Sequence, residues 1–347
     1  MRGESTTSAP PHAGKPEPIQ PVVGTGSALP EAGGAAETAG KAQATPVAGS
    51  AKKAVKSAAA GSASADWTVL VNRLRNDPAA AGLDGMFQGL PAYSPQPMGE
   101  KIRELFTRAF MRKRKPDDGR PREPRPRIYR NVVTAENLSK CRDFLSAHAA
   151  AFDAVEKKYP VPREILVSLL FVETRLGVYT GKENAFWSLA CMAAADSPER
   201  MKGGLSGIPI TSRHDAWLRA RLKDKSDWAY KELRALLLFC RANGINPLSV
   251  PGSVYGAIGI CQFMPSNLDK FAEDGDGDGV INLFSEADAV FSAARYLTRH
   301  GWQAGLGVEG RRGVLKRYNN LNIYADTILT MAESLRGGVL LSAPPER

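Results

Sequence analysis

One almost purely apolar stretch stands out in this chain: Val161-Pro-Arg-Glu-Ile-Leu-Val-Ser-Leu-Leu-Phe-Val-Glu-Thr-Arg-Leu-Gly177. Pro162 suits the first position of a helix, and the apolar residues after it predict that the helix is buried. At helical spacing the neighbours of Glu173 on its own face are Leu169, Leu170 and Leu176. A carboxylate on such a face is paired, exposed at an edge, or kept for chemistry, so Glu173 is the first candidate catalytic residue.

Helical patterns on both sides of this stretch predict a mainly α-helical fold. Further helices are predicted over residues 67–74, 98–111, 134–158, 186–195, 226–243, 286–300 and 323–335. Asp66 is expected to cap the first of them, and Thr134 is expected to open the long one. The chain shows no convincing alternating strand of more than about five residues and no internal repeat.

The first part of the chain differs in composition from the rest. Residues 1–65 are mostly Ala, Gly, Pro, Ser and Thr, without an aromatic residue. Such a stretch cannot bury enough apolar surface to offset its chain entropy. We therefore expect a disordered tail over 1–65 and one folded domain over 66–340. No segment is apolar over the length of a membrane span, and the N-terminus lacks the apolar stretch of a signal peptide.

The net charge of +10 indicates an acidic or polyanionic partner. Nine of the 19 residues at 112–130 are Lys or Arg, which fits either a solvated basic loop or a contact with an anionic polymer or membrane surface. No nucleic-acid-binding module is visible, so nucleic acid is not an expected partner. The four cysteines form no CxxC pair and the four histidines are scattered, so metal chemistry based on His and Cys is not expected.

The sequence GAIGICQFMPSN at 256–267 describes a tight loop that enters a helix. Its glycines let the backbone approach a neighbour closely. Gln262 can both donate and accept hydrogen bonds, which suits the amide or hydroxyl of a sugar. On composition alone, a packing turn with a satisfied Gln is the simpler interpretation.

The sequence DGDGDGVINLFS at 274–285 follows the calcium loop of an EF-hand, with acidic residues at positions 1, 3 and 5 and a glycine at position 6. Position 12, normally Glu, is Ser285, and a carboxylate three residues later can replace it if the loop has a longer exit. The oxygen ligands expected for a structural Ca²⁺ are Asp274, Asp276, Asp278, the carbonyl of Val280, and Asp288. The alternative is a plain acidic, Gly-rich turn.

Near the C-terminus, Tyr318-Asn319-Asn320 followed by Tyr324 brings aromatic rings and amides together. Aromatic faces stack on sugar rings, and amides hydrogen-bond to sugar hydroxyls. A helix-capping Asn beside core tyrosines would give the same pattern.

Four motifs, in this order, resemble the membrane-bound lytic murein transglycosylase B family (lytic transglycosylase family 3). They are VETRLG around Glu173, GAIGICQFMPSN, DGDGDGVINL, and RYNN followed by Tyr324. The resemblance covers residues 66–335 and implies a lysozyme-like helical core, an extra helical lobe and a single EF-hand-like loop. It also implies an enzyme of the periplasm or cell envelope that cleaves the β-1,4 bond between N-acetylmuramic acid and N-acetylglucosamine and leaves a 1,6-anhydro end.

The resemblance further implies roles for individual residues. Glu173 matches the family's single acid/base, which protonates the bridging oxygen and then takes a proton from the C6 hydroxyl while the N-acetyl group stabilises the cation. Asp288 matches the late carboxylate of the family's calcium loop. The residues that match sugar-binding groups of the cleft are Arg200, Ser253, Gln262, Tyr296, Tyr318, Asn319 and Tyr324.

The chain departs from the family pattern at four places. Cys261 replaces a glycine beside Gln262, and Glu199 stands where the first of two arginines is expected. An aromatic residue expected after Arg200 is not in place, and residues 201–228 look like an insertion. A hydrolytic muramidase on the same scaffold and a non-catalytic peptidoglycan-binding scaffold stay open as alternatives. The expected partner is the glycan strand, bound by a monomer, and association with the membrane or with a wall-remodelling complex stays open.

Overall fold

The computed structural model of this chain describes residues 67–111 and 127–337. The expected tail over 1–65, the capping role of Asp66 and most of the basic run at 112–130 lie outside the described residues. Within the described ranges the fold is mainly helical, as predicted. None of these helices combines the length and the apolar character needed to cross a bilayer.

The described residues form α-helices that are joined mostly by short turns. In chain order the helices are α1 (Thr68–Arg75), α2 (Gln96–Phe106), α3 (Ala135–Ala147), α4 (Ala149–Lys158), α5 (Arg163–Thr174), α6 (Ala185–Ala194), α7 (Asp215–Ala242), α8 (Leu268–Phe271), α9 (Glu286–Arg299), α10 (Val308–Tyr318) and α11 (Asn322–Leu335). A π-helical turn, Thr107–Met111, extends α2. The strands β1 (Glu183–Asn184) and β2 (Pro251–Gly252) pair antiparallel.

The predicted helices differ from the structure at several points. The helix predicted over 134–158 is divided at His148, whose ψ of 29° interrupts it, because α3 packs on α5 and α11 while α4 packs on α9. The helix predicted from residue 226 begins at Asp215. Helix α10 was not predicted, since Gly310 and Gly313 lower its helix propensity. The cap by Thr134 is confirmed, because its hydroxyl accepts the N–H of Asn137 at 3.2 Å.

The helices pack as two sets that share one apolar core. One set contains α1, α2, α6 and α7, and α6 lies along α7. The other set surrounds α5 with α3, α9 and α11, while α4 packs on α9 and α10 on α11. Helix α8 contacts both α7 and α9 and so connects the two sets. The buried helix predicted over 161–177 is therefore central, and its residues 165–171 are all buried.

The segment 201–228, which looks like an insertion in the sequence, folds against α2. A side chain on Gly99 would place its Cβ 2.0 Å from the carbonyl oxygen of Gly204, so the two backbones touch. Arg103 donates to the carbonyls of Ser206 and Gly207 at 2.9 and 3.2 Å. The second half of the segment forms the start of α7. Residues 201–228 thus form part of the first helix set.

Candidate active site

Glu173 is the next-to-last residue of α5 and is only 7% exposed. Its Oε1 accepts a hydrogen bond of 2.6 Å from the hydroxyl of Tyr324, which lies in the first turn of α11. Helix α11 packs along α5, so the sequence separation between the two residues is closed by helix packing. The first candidate catalytic residue is therefore buried, and a neutral donor holds it.

Burial raises the pKa of Glu173 from 4.5 to about 7, while the hydrogen bond from Tyr324 lowers it in part. Burial favours the neutral acid, and a donor favours the ionised carboxylate. A pKa near neutrality means that both forms are populated at physiological pH. A group in that state can serve as a general acid and as a general base in one cycle.

The groups that face Glu173 in the described ranges are phenols and a thiol. Its charge adds to burial in raising the pKa values of Tyr129, Tyr318, Tyr324 and Cys261. Neither a second carboxylate nor a cation among the described residues shifts the pKa of Glu173. Glycosidases that use two carboxylates place them about 5–9.5 Å apart, whereas no described carboxylate contributes to the pKa shift of Glu173.

The end of α5 differs from the prediction. The pattern placed Leu176 on the helical face of Glu173, but α5 ends at Thr174, and the next residues are left-handed: Arg175 (φ 54°), Leu176 (φ 61°) and Gly177 (φ 92°). Left-handed backbone outside glycine is strained and tends to cluster at functional sites. The reversal carries the chain away from the helix immediately after Glu173.

Thr174 fixes this reversal against the loop that contains Gln262. Its hydroxyl donates to the carbonyl of Ile260 at 2.8 Å and accepts the N–H of Gly177 at 3.0 Å. The Ile260 N–H in turn donates to the carbonyl of Leu283 at 2.8 Å, in the exit of the acidic loop. Two hydrogen bonds thus connect the acidic loop, the Gln262 loop and the residue next to Glu173.

Gln262 is buried and has a left-handed backbone with a φ of 50°. Its side-chain amide donates to the carbonyls of Thr180 and Gly259, both at 3.0 Å. Both amide hydrogens are therefore used to hold the loop, as in the simpler interpretation of the sequence. The amide oxygen is the atom of Gln262 that can still accept a hydrogen bond from a substrate.

Tyr296, Tyr318 and Tyr324 form a buried aromatic wall behind Glu173. The Tyr318 ring is stacked on that of Tyr324 and meets that of Tyr296 edge-on, with centroids 6.4 and 4.7 Å apart. The Tyr318 hydroxyl donates to the carbonyl of Cys261, and that of Tyr296 to the carbonyl of Arg317. The rings support the site, and buried rings offer no open face to a sugar. Asn319, which follows α10, is also buried.

Ser253 and Arg200 lie in different surroundings. Ser253 is half-buried just after β2, and its hydroxyl accepts the N–H of Ala257 at 3.0 Å. Arg200 lies beyond the end of α6, where its Nε donates to the carbonyl of Ala194 at 2.7 Å and its guanidinium lies over the Tyr93 ring. The structure thus places Arg200 in the other helix set from Glu173.

Glu199, which replaces an expected arginine, has a partner from the apparent insertion. Arg219 of α7 donates to its carboxylate at 2.8 Å. This hydrogen bond lowers the pKa of Glu199 to about 2. The segment 201–228 therefore supplies the counter-ion of Glu199, the residue that departs from the family pattern.

The acidic loop brings three of the predicted ligands together. Carboxylate oxygens of Asp274, Asp276 and Asp288 lie within 4.8 Å of one another. Asp278 stands apart from this group and accepts the N–H of Val280 at 2.7 Å. The Asp288 carboxylate is 1% exposed and accepts the N–H groups of Gly275 and Asn282.

These carboxylates fit a hard divalent cation. Burial, followed by the charges of Asp276 and Asp274, raises the pKa of Asp288. No Lys or Arg among the described residues forms an ion pair with the three carboxylates, whose mutual repulsion a cation would relieve. Calcium takes six to eight oxygen ligands. Asp274, Asp276 and Asp288 would provide part of that set, and bound calcium would supply positive charge and hold the loop together.

Sequence reasoning missed three residues that support the site. Thr174 adjoins Glu173 in the chain, but its hydrogen bond to the Ile260 carbonyl forms only in the folded protein, as does the approach of Tyr129 to Glu173. Glu232 of α7 is buried, and its carboxylate accepts the N–H and the hydroxyl of Ser266 at 2.8 and 2.9 Å, which anchors the MPSN turn. In the sequence Glu232 looks like an ordinary polar helix position, so no local signal marked it.

Residues 100–312 match the model of a family described as transglycosylase SLT domain. The match covers more than half of the chain, and the chain belongs to this family. It is 31% identical, over 179 residues, to the membrane-bound lytic murein transglycosylase B of Escherichia coli (strain K12). That alignment covers 52% of this chain and 42% of the relative, so the chain spans less than half the length of the curated relative it matches.

Solved structures show the same fold. The soluble lytic transglycosylase SltB1 from Pseudomonas aeruginosa aligns with a TM-score of 0.56 and 23% identity, over 78% of this chain and 99% of that one. Escherichia coli Slt35 in complex with calcium aligns with a TM-score of 0.55 and 19% identity, over 78% and 92%. Pseudomonas aeruginosa SltB3 in complex with NAG-anhNAM-pentapeptide aligns with a TM-score of 0.56 and 19% identity, over 81% and 83%. The predicted mainly helical, lysozyme-like fold is confirmed.

Proposed function

We propose that this chain is a peptidoglycan lytic transglycosylase, which cleaves the β-1,4 bond between N-acetylmuramic acid and N-acetylglucosamine and leaves a 1,6-anhydro end. The observation that carries the proposal is Glu173, a buried carboxyl with a pKa of about 7. No second carboxylate among the described residues shifts that pKa. One group with that pKa suits a reaction in which the same residue first gives and then takes a proton.

In the proposed reaction, protonated Glu173 donates its proton to the bridging oxygen, and the bond between that oxygen and C1 of the muramic acid breaks. The substrate's own N-acetyl oxygen stabilises the positive charge at C1. The ionised Glu173, held by the Tyr324 hydroxyl, then accepts the proton of the C6 hydroxyl as this oxygen bonds to C1. General acid–base catalysis of this kind contributes about 10²–10⁴-fold.

The substrate-binding residues are proposed on the geometry of the site. The hydroxyl of Ser253 and the amide oxygen of Gln262 would contact the glycan directly. We expect Arg200, in the other helix set, to act on a more distant part of it, and Asn319, which follows Tyr318, to act beside the tyrosines. Tyr296, Tyr318 and Tyr324 would act mainly by positioning Glu173, because their rings are buried. The SltB3 complex with NAG-anhNAM-pentapeptide supports a glycan as the ligand of this fold.

We also propose a structural Ca²⁺ at the acidic loop, bound by Asp274, Asp276 and Asp288, with Asp278 and the Val280 carbonyl as further ligands. The convergence of three carboxylates and the calcium complex of Slt35 support this assignment. The place of action would be the periplasm or cell envelope, where the substrate is found. The name of the E. coli relative, a membrane-bound murein transglycosylase, is consistent with that location.

The first prediction concerns Glu173→Gln. The amide keeps the shape of the side chain and its contact with Tyr324 but cannot give or take the proton. We expect the release of anhydro-muropeptides from purified peptidoglycan to fall by at least about 10²-fold, the lower end of what such catalysis contributes. Mass spectrometry of the products measures this.

The matched control is Glu164→Gln on the same helix, where Glu164 pairs with Arg336 at the surface, and it should keep wild-type activity. More than about a tenth of wild-type activity in Glu173→Gln would contradict the assignment. The same spectra separate the alternatives, since a muramidase leaves a reducing muramic acid end. A non-catalytic scaffold would bind glycan without turnover.

A further inference from the structure

Glu232 is a buried carboxylate that the proposed reaction does not use. It lies on α7, in the other helix set from Glu173, and is only 5% exposed. Burial raises its pKa, and no Lys or Arg among the described residues forms an ion pair with it or offsets this shift. Burying a carboxylate without a cation costs free energy. Packing alone therefore does not explain a glutamate at this position.

Both oxygens of this carboxylate bind one residue of the MPSN turn. Oε2 accepts the N–H of Ser266 at 2.8 Å, and Oε1 accepts its hydroxyl at 2.9 Å. The turn, Pro265–Asn267, leads directly into α8, and the residue before it, Met264, gives it no side-chain cap. The N–H groups of a first helical turn have no partner inside the helix and need an acceptor from elsewhere. Glu232 supplies that acceptor from a different helix.

The MPSN turn is the exit of the Gln262 loop, and the residue just before it packs on the tyrosine wall. Phe263 exchanges two backbone hydrogen bonds with Ile258, of 2.9 and 3.0 Å. Its ring lies against those of Tyr296 and Tyr318, with centroids 5.6 and 5.9 Å apart. The position of the turn therefore affects how this loop meets the wall behind the catalytic carboxyl.

The entry of the Gln262 loop is also bound to the first helix set. The hydroxyl of Tyr255 donates to the carboxylate of Glu104, on α2, at 3.2 Å. Between its two ends the loop contacts the end of α5, where the carbonyl of Ile260 accepts the hydroxyl of Thr174, the residue after Glu173. A loop that is held by one helix set thus contacts the catalytic residue's neighbour in the other set.

We propose that Glu232 is a positioning residue for the proposed reaction: it holds the exit of the Gln262 loop on α7 and so fixes the surroundings of Glu173. This role rests on the proposed function. A loop that shifts at its exit moves the carbonyl that Thr174 binds and the amide oxygen of Gln262. A displacement of about 1 Å near the reacting groups can cost about 10²-fold in rate.

Kinetics of Glu232 variants test this role, with the full chain and purified peptidoglycan. Glu232→Met keeps the apolar volume of the side chain and removes both acceptors. Its kcat for release of anhydro-muropeptides should fall at least about tenfold, while KM changes by less than about threefold, because Glu232 does not touch the substrate. Ser266→Ala removes only the hydroxyl bond and should give an intermediate kcat.

Glu232→Gln is the conservative variant. Its amide oxygen can accept the Ser266 N–H, and the Ser266 hydroxyl can rotate to accept a hydrogen of the amide. This variant should therefore restore kcat to within about threefold of the wild-type value. A purely electrostatic role of the carboxylate would not be restored by a neutral amide.

The matched control is Ser226→Ala on the same helix. The buried hydroxyl of Ser226 donates to the carbonyl of Ala193, in α6, at 2.7 Å. Its loss removes a buried hydrogen bond of α7 without touching the Gln262 loop. The melting temperature should fall, whereas kcat and KM should stay at their wild-type values.

Hydrogen exchange, followed by mass spectrometry, gives a measurement that does not depend on activity. Amide exchange in peptides that cover residues 258–267 should become faster in Glu232→Met and stay unchanged in Ser226→Ala, since exchange reports local opening. If the wild type releases no anhydro-muropeptides, the proposed function fails. Unchanged exchange over 258–267 in Glu232→Met would overturn the positioning role on its own.

The kinetic outcomes are equally decisive. A wild-type kcat in folded Glu232→Met would overturn the role, and so would an equal fall of kcat in Ser226→Ala, because the loss would then follow stability in general. If Glu232→Met does not fold, Ser266→Ala decides the question, and an unchanged kcat in that variant overturns the proposal.

Discussion

Two opposing effects determine the pKa of Glu173. Burial at the end of α5 favours the neutral acid, and the Tyr324 hydroxyl, 2.6 Å away, favours the carboxylate. The sequence indicated the burial, because leucines surround Glu173 at helical spacing. It did not indicate the hydrogen bond from Tyr324, since no local pattern connects residue 173 with residue 324. Helix α11 must pack along α5 before the two groups meet.

Tyr324→Phe should move the alkaline limb of the pH–rate profile. The removed hydroxyl stabilises the ionised form, so its loss raises the pKa of Glu173 above about 7. A general acid must be protonated, and activity falls as the pH rises through its pKa. The limb of kcat/KM should therefore shift to higher pH, while kcat falls because the carboxylate loses an orienting partner.

The control for this shift is Tyr230→Phe, which removes a hydroxyl that bonds to Asp77 in the other helix set. Its profile should match that of the wild type. A Tyr324→Phe limb that stays in place would show that the phenol does not set the pKa of Glu173.

The acidic loop is a local element, and the convergence of three of its predicted ligands could be predicted from the sequence. The alternation of Asp and Gly fixed its ligand type, and the three convergent carboxylates agree with that reading. The arrangement of Asp278 was not predicted, because its short side chain bonds to its own backbone two residues on. Helix boundaries were predicted less well, since packing partners decide where α3 stops and α7 starts.

Calcium should stabilise the protein through Asp288 more than through Asp278. A chelator is expected to lower the melting temperature of the wild type, because a ligand bound only to the folded state stabilises it. Asp288→Asn should lose this response, whereas Asp278→Asn should keep most of it. Thermal unfolding with calcium or with chelator measures the difference. A wild-type melting temperature that the chelator does not change would contradict a calcium site.

The stability of the whole protein should depend on the charge of Glu173. The native state holds its proton up to a pKa of about 7, and the unfolded chain releases it near 4.5. Between these values the native state binds more protons, so stability falls as the pH rises and levels off above about 7. Glu173→Gln removes the free-energy cost of ionising a buried carboxyl. The pKa shift of Glu173 corresponds to roughly 3 kcal/mol of unfolding free energy.

We therefore expect Glu173→Gln to be more stable than the wild type at pH 8, by up to roughly 3 kcal/mol. The advantage should vanish below about pH 4.5, where both states of the wild type are protonated. Urea unfolding at several pH values measures it. A constant difference across this range would show that Glu173 is not buried as a neutral acid.

The arrangement of the whole molecule was the least accessible to residue patterns. Periodicity predicted separate helices, and the resemblance to a family implied a helical core with an extra lobe, but the two sets that share one core appear only in the structure. Packing such as that of Gly99 on Gly204 depends on backbones that are distant in sequence. The pairing of Glu199 with Arg219 likewise appears only when α7 is in place.

The hydrogen bond from the Ile260 N–H to the Leu283 carbonyl closes a ring formed by residues 260–283. The Ile260 carbonyl links this ring to Thr174 by accepting its hydroxyl. Chain length inside this ring is constrained, because an added or deleted residue between 260 and 283 would pull the acidic loop away from α5. The segment 201–228 lies outside the ring and packs on α2. A design that adds a label should therefore use an exposed position of that segment, such as Lys202 or Gly203, rather than the ring.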